Sequence, residues 1–256
     1  MLKEERQQRL LSYVNEHRKA TVEELGTVLN VSKVTVRRDL DDLADIGLVA
    51  KTFGGALSKA SMLSMEIPSS RKTSLSVDEK KLIGQAAADL IDDGDVVILD
   101  SGTTTLEIAK RIGDKRIIVI TNDLNVAMAL TSRPAVTLVM AGGVVEPGVN
   151  VTTGHDAEHV FSQIHVNKTF LGADALSLDD GITDRSYAQL PIKRAMLSAA
   201  EKKYVVSDNT KFGQHVFVHV CPLSAIDTLI TNDIDPAFEE ALRAIGVEVI
   251  ITRGEM

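Results

Sequence analysis

The chain has 256 residues, 44% of them hydrophobic and 25% charged, an ordinary globular composition that excludes wholesale disorder and collagen-like or linker-like chains. No apolar run approaches the roughly 18 residues that cross a bilayer, Lys3-Glu4-Glu5 does not open a signal peptide, and the single cysteine, Cys221, forms no intrachain disulfide. A reducing cytoplasm with no membrane partner is the expectation. The net charge is −8, but residues 1–60 carry ten Lys/Arg against nine Asp/Glu while the remainder is net −9, so any contact with nucleic acid is expected from a local patch at the N-terminal end.

Three short helices are predicted in the first sixty residues. Arg6, Leu10, Leu11 and Val14 recur at helical spacing. Thr21-Val22-Glu23-Glu24 is a capping box, followed by an apolar stripe of Leu25, Val28 and Leu29. Asn30-Val31 breaks that helix, and Ser32 caps a third carrying Lys33, Thr35, Arg37, Arg38, Leu40, Leu43 and Ala44, with Gly47 as its expected C′ residue. Two helices joined by a tight turn are a helix-turn-helix signature. Ser32, Lys33, Thr35, Arg37 and Arg38 then sit at the end of a recognition helix that meets base edges and phosphates. Two β-prone stretches around Gly54-Gly55 make a wing that places Lys51 and Phe53 beside the backbone. The bland alternative is a helical bundle with Arg37 and Arg38 on a solvated face.

Residues 59–76 have the Ser-rich composition of a linker, which separates a domain at 1–58 from one at 77–256. A helix is predicted over 78–90. Beyond it, strand patterns at 96–100, 117–121, 136–141, 168–173, 203–207, 216–220, 228–231 and 247–252 alternate with helical patterns at 104–111, 124–132, 155–163, 188–201 and 236–245. That alternation predicts an α/β domain with a largely parallel sheet.

Ligands of such sheets bind past the carboxyl ends of the strands. There the chain offers Asp100, then Ser101-Gly102-Thr103-Thr104-Thr105 leading into a helix, a candidate phosphate cradle that lacks the Lys of a P-loop. Asn122, Gly142, Gly143, Asp174, Asp184 and Lys211 follow other strands. Converging hydroxyls, carboxylates and a lysine suit a polyhydroxylated, phosphorylated small molecule. Lys211 is expected to supply the nearby positive charge. His155-Asp156-Ala157-Glu158-His159 matches a zinc-protease pattern but reads as the acidic first turn of a helix. Asp92-Asp93-Gly94-Asp95 and Asp179-Asp180-Gly181 read as turns, not calcium loops. No metal or cofactor is expected.

The order Arg6, Leu10, Val14, then Ser32-x-x-Thr35-Val36-Arg37-Arg38-Asp39-Leu40 and Gly54-Gly55-Ala56 resembles the DeoR family of bacterial sugar-catabolism regulators. Asp100-Ser-Gly-Thr-Thr-Thr105, Thr121-Asn122, Gly142-Gly143, Leu171-Gly-Ala-Asp174, Gly181-Ile-Thr183 and Ser207-Asp-x-x-Lys211-Phe-Gly213 stand in that family's order, covering residues 3–252. The resemblance implies a winged helix-turn-helix followed by an α/β sensor domain similar in fold to ribose-5-phosphate isomerase and the CoA transferases. It implies a repressor of a carbohydrate operon that binds double-stranded operator DNA, takes a phosphorylated sugar as effector and forms a homo-oligomer, dimer or tetramer. The competing expectation is a sugar-phosphate isomerase with a DNA-binding appendage, using Asp174 or Asp184 as base.

Overall fold

The structure, a computed structural model, describes residues 2–45, 48–52, 54–58 and 68–252. Gly47 and Phe53 lie outside the described residues. The chain divides into two compact units, Met1–Met65 and Glu66–Met256.

The first unit contains α1 (Lys3–His17), β1 (Lys19–Thr21), α2 (Val22–Leu29), α3 (Lys33–Asp45), β2 (Val49–Thr52) and β3 (Gly55–Ser58). The capping box at α2 forms as the sequence implies: the Thr21 hydroxyl accepts from the Glu24 amide, and the Glu24 carboxylate accepts from the Thr21 amide. Asn30 ends α2 in the left-handed region, a conformation that Asn tolerates. Leu10, Val14, Leu25, Val36, Leu40 and Leu43 form the core. The β2–β3 wing is present, and β1, not expected from the sequence, joins it in the order β1-β3-β2. Gly55 permits that junction, since a Cβ there would lie 2.1 Å from the Ala20 carbonyl oxygen.

The second unit begins earlier than a linker over 59–76 allows. Residues Ser69–Thr73 form α4, whose Ser69 amide donates to the Gly148 carbonyl at 2.9 Å. Then come α5 (Val77–Asp89), β4 (Val96–Leu99), α6 (Thr103–Arg111), β5 (Ile117–Thr121), α7 (Leu124–Leu130), β6 (Val136–Met140), β7 (Val144–Glu146), β8 (Val151–Thr153) and α8 (His155–Ser162). The unit continues with β9 (Val166–Gly172), β10 (Ala175–Ser177), β11 (Gly181–Asp184), α9 (Leu190–Ala199), β12 (Ala200–Val206), β13 (Val218–Cys221), β14 (Thr228–Thr231), α10 (Pro236–Ala244) and β15 (Glu248–Ile251).

Seven strands form a parallel sheet in the order β15-β14-β12-β9-β4-β5-β6. The central strand β4, Val96-Val97-Ile98-Leu99, is apolar on both faces, as a parallel strand covered by helices must be. Val97 and Leu99 join one core with Ile83 and Ile108, while Ile98 faces the other with Phe161, Leu171 and Met196. One predicted strand lies elsewhere: β13 pairs antiparallel with β11 in a separate sheet of order β10-β11-β13. The chain runs outward from β4 to β5 and β6, then returns to the other side of β4 with β9. This reversal between β4 and β9 is the topological switch point, where open α/β sheets hold their ligands.

Candidate functional site: the recognition helix and the switch-point cavity

On α3 the Ser32 hydroxyl accepts from the Thr35 amide at 3.1 Å, an N-cap arrangement. Val36, Asp39, Leu40 and Leu43 are buried, whereas Lys33, Val34, Arg37 and Arg38 face out. Asp39 belongs to the interior: it forms a two-pronged ion pair with Arg6 that ties α3 to α1. The candidate DNA contacts differ in availability. Lys33 pairs with Glu23 at 2.8 Å and Lys51 pairs with Asp41. Both pairs are exposed and therefore easily exchanged for phosphate. Arg37 and Arg38 carry no ion pair or side-chain hydrogen bond among the described residues.

In the second unit a cavity of about 320 Å3 opens at the switch point. Of the twelve residues expected to bind an effector, Ser101, Gly102, Thr103, Thr104, Thr105, Asp174, Asp184 and Lys211 line it. Four do not. Asp100 is beneath the wall, where its Oδ2 accepts from the Gly172 amide at 2.9 Å and from Lys193 Nζ at 2.5 Å. Asn122 is buried and donates from Nδ2 to the Thr152 carbonyl, which pins β8. Gly142 and Gly143 turn the chain from β6 into β7; Gly143 sits where a Cβ would lie 2.4 Å from the Thr153 carbonyl oxygen. Gly143 thus allows the close approach of β7 to β8, whereas a Cβ at Gly142 would meet nothing within 4 Å.

The expected cradle needs a second correction. The Gly102 amide is already taken by Asp123 Oδ2 at 3.1 Å. Asp123 also caps α7 through Oδ1, accepting from Asn125 and Val126. Burial raises the Asp123 carboxyl above the usual aspartate range against the opposing pull of those three amides. The amides of Thr103, Thr104 and Thr105 remain: the first turn of a helix has no internal acceptors for them, and no side chain caps α6. They are the part of the turn that presents the positive helix end to an anion.

Nor is Lys211 the one nearby cation. Lys72, Lys80 and Lys193 line the same cavity, and four aspartates balance the four lysines. Lys193 contacts Asp100 and, at 3.3 Å, Asp184, and donates to the Gly172 carbonyl at 3.0 Å. Burial disfavours its ammonium, but Asp100, Asp184 and Asp174 outweigh that and hold its pKa above the ordinary lysine value, so it stays charged. Burial raises the Asp184 carboxyl, against the pull of Lys193. Asp174 is held below the usual range because Lys72, Lys193 and Arg185 outweigh the effect of its burial. Lys72 reaches Asp174 at 2.9 Å. Lys80 donates to the carbonyls of Lys72 and Leu75 at the end of α4; burial lowers its pKa. Lys211 makes no side-chain hydrogen bond or ion pair among the described residues, which leaves its ammonium available. Gln189, also unforeseen, accepts from the Ser101 hydroxyl at 2.7 Å.

Helical spacing carried a signal for two of these lysines. Lys80 lies on the same stripe as Ile83, Gly84, Ala87 and Ala88, and Lys193 on that of Met196 and Leu197. A lysine on an apolar stripe is aimed inward. The two carboxylates expected to act as an isomerase base are both engaged, Asp174 with Lys72 and Asp184 with Lys193 and the Ser186 amide. No group of three His, Cys, Asp or Glu side chains converges on a metal position among the described residues. No helix among them is long and apolar enough to cross a membrane.

Comparison with known proteins accounts for both units. Residues 6–62 match the model of the DeoR-like helix-turn-helix domain, and residues 75–233 match that of the DeoR C terminal sensor domain. The HTH-type transcriptional repressor GlcR of Bacillus subtilis is 34% identical over 253 residues, 98% of this chain and 97% of that protein. The HTH-type transcriptional regulator GlpR of Haloferax volcanii is 31% identical over 252 residues, 98% of each chain. Among solved structures, ribose 5-phosphate isomerase A of Methanocaldococcus jannaschii aligns with 53% of this chain and 54% of its own, at 17% identity and a TM-score of 0.39. With a DeoR-like domain matched in each of its two units and such relatives along its whole length, the chain belongs to the DeoR family of DNA-binding transcriptional regulators.

Proposed function

We propose that this regulator is a repressor of a carbohydrate-catabolism operon, that it works as a homo-oligomer on double-stranded operator DNA, and that a phosphorylated sugar in the switch-point cavity sets its grip on that DNA. One observation carries the reading: the uncapped amides of Thr103–Thr105 and the ammonium of Lys211 share a cavity with Asp174, Asp184 and Asp208. The first set suits a phosphate; the carboxylates suit sugar hydroxyls. The balanced lining also spares an anion the repulsion of a region with net charge −9, since distant charges are screened beyond about 10 Å.

The effector shifts the DNA-binding equilibrium only by its difference in affinity for the two states. Lys72 and Lys80 supply a route for that difference. They belong to α4 and α5, the first elements after residues 59–67, which join the two units in sequence. A phosphate that draws on Lys72 or Lys80 competes with Asp174 and with the carbonyls that end α4.

Calorimetry with paired sugars and sugar phosphates tests this. The phosphate ester should bind at least tenfold tighter than the free sugar, and Lys211→Ala with Thr104→Ala, which remove the ammonium and one hydroxyl but keep the amides of the turn, should weaken the effector response while leaving DNA affinity intact. Equal affinity for sugar and ester, or full response in that double variant, refutes the cavity assignment. Turnover of the ester into an isomer would replace it with the enzymatic reading.

A further inference from the structure

The outward side of α3 carries one apolar side chain among cations. Lys33, Val34, Arg37 and Arg38 are exposed there, and helical spacing sets Lys33 over Arg37 and Val34 over Arg38, each four residues apart. Val34 is 57% exposed. Folding gives no reason for it: a β-branched residue is a weaker helix former than lysine or alanine, and its isopropyl group stands in water outside the core of Leu25, Val36 and Leu40. The position is nevertheless well defined. Ser32 caps the Thr35 amide, and the Val36 amide bonds the Ser32 carbonyl at 3.0 Å. Valine in a helix keeps essentially one χ1 rotamer, so the isopropyl group is presented rigidly in the first turn of α3.

Recognition helices of this class place their N-terminal residues against base edges in the major groove. The thymine 5-methyl group is the apolar feature of those edges. The neighbours of Val34 are suited to the polar remainder, because Arg37 and Arg38 have no partners on the protein among the described residues. We propose that Val34 is a specificity residue that reads a thymine of the operator by packing on its 5-methyl group, beside arginines that bind guanine edges or phosphates.

Replacing a thymine by deoxyuracil removes that methyl group and leaves every hydrogen-bonding atom in place, so the test can be made one group at a time. The full-length protein selects duplexes from a randomised pool, and each thymine of the selected sequence is exchanged singly for deoxyuracil. Anisotropy titrations at fixed salt then compare the parent with Val34→Ala, whose fold is checked by thermal melting. At one thymine the exchange should weaken the parent about fourfold, the effect of burying one methyl group. Val34→Ala should lose a similar factor on the thymine duplex and nothing further on the deoxyuracil duplex. Val34→Thr, which keeps the branch and one methyl, should fall between them. Equal loss by Val34→Ala on both duplexes overturns the proposal. So does unchanged affinity in Val34→Ala, or a selected sequence in which no thymine couples to residue 34.

Discussion

Lys193→Met tests the wall of the cavity most directly. The lysine is 3% exposed, and it separates the Asp100 and Asp184 carboxylates, themselves 1% and 4% exposed. Methionine keeps the stem and removes the charge, which leaves two buried carboxylates without their shared cation. Removing one partner of a buried ion pair costs about 3–5 kcal/mol. A second route bounds the same quantity. An abandoned carboxylate can escape by taking a proton; at pH 7, about three units above an ordinary aspartate pKa, that costs about 4 kcal/mol. The two figures agree. At pH 5 the proton costs only about 1.5 kcal/mol. The variant's carboxylate has a raised pKa in the native state, so the native state binds the proton more tightly and the variant recovers stability as pH falls. Urea unfolding of the full chain followed by circular dichroism, with the sensor-unit transition fitted at pH 7 and pH 5, measures both. A loss below about 1 kcal/mol at pH 7, or the same loss at both values, would refute a charged, network-bearing Lys193.

Arg6→Ala should destabilise the first unit by roughly 1–3 kcal/mol, since it strips a buried Asp39 of its two-pronged partner while Arg6 itself is partly solvated; in a double-mutant cycle with Asp39→Ala the losses should be clearly less than additive. Gly55→Ala places a methyl group 2.1 Å from the Ala20 oxygen and 2.8 Å from the Thr21 Cα, so thermal unfolding should show at least the 1–3 kcal/mol loss (roughly) of an overpacked site, with the β1–β3 pairing disrupted. Asp174→Asn probes a carboxyl whose pKa is depressed by Lys72 and other cations acting against its burial. Its ionised form stabilises the fold above the ordinary aspartate pKa of about 4, and that contribution is lost as pH falls through the depressed value. The stability difference between parent and variant should therefore be constant near neutrality and shrink in acid; a difference that grows on acidification contradicts the assignment.

What sequence alone conveyed was local. The uninterrupted apolar run Val96-Val97-Ile98-Leu99 announces a strand buried on both faces, and each central strand and its following helix falls within a few residues of its pattern. Thr21-x-x-Glu24 and Ser32-x-x-Thr35 name their own caps because a cap forms between residues three apart. The strands β1, β7, β8, β10 and β11, of three or four residues each, give no such signal, because none carries an apolar run like Val96–Leu99. The Ser-rich stretch up to residue 76 looked like linker, since nothing in α4 itself reveals its attachment to Gly148 and Asp174.

The cavity was legible in half. Position after a strand singled out the Ser101–Thr105 turn, Asp174 and Lys211, which line the cavity because the carboxyl ends of parallel strands meet on one edge; Asp184 lines it from the end of the antiparallel β11. The same rule overreached at Asp100 and Asn122, whose side chains turn inward to satisfy buried partners. The apolar stripes of Lys80 and Lys193 told only that they turn inward; the tertiary structure brought them to the cavity with Lys72 and Gln189, all on helices or helix ends that reach groups as far as 102 residues away in sequence. A polar side chain's partner is chosen by the folded sheet order, with β9 returning beside β4, and burial then forces each charge to find that partner. Which carboxylate holds which ammonium, and which amides are left for a ligand, is therefore a property of the packed switch point and not of any short stretch of chain.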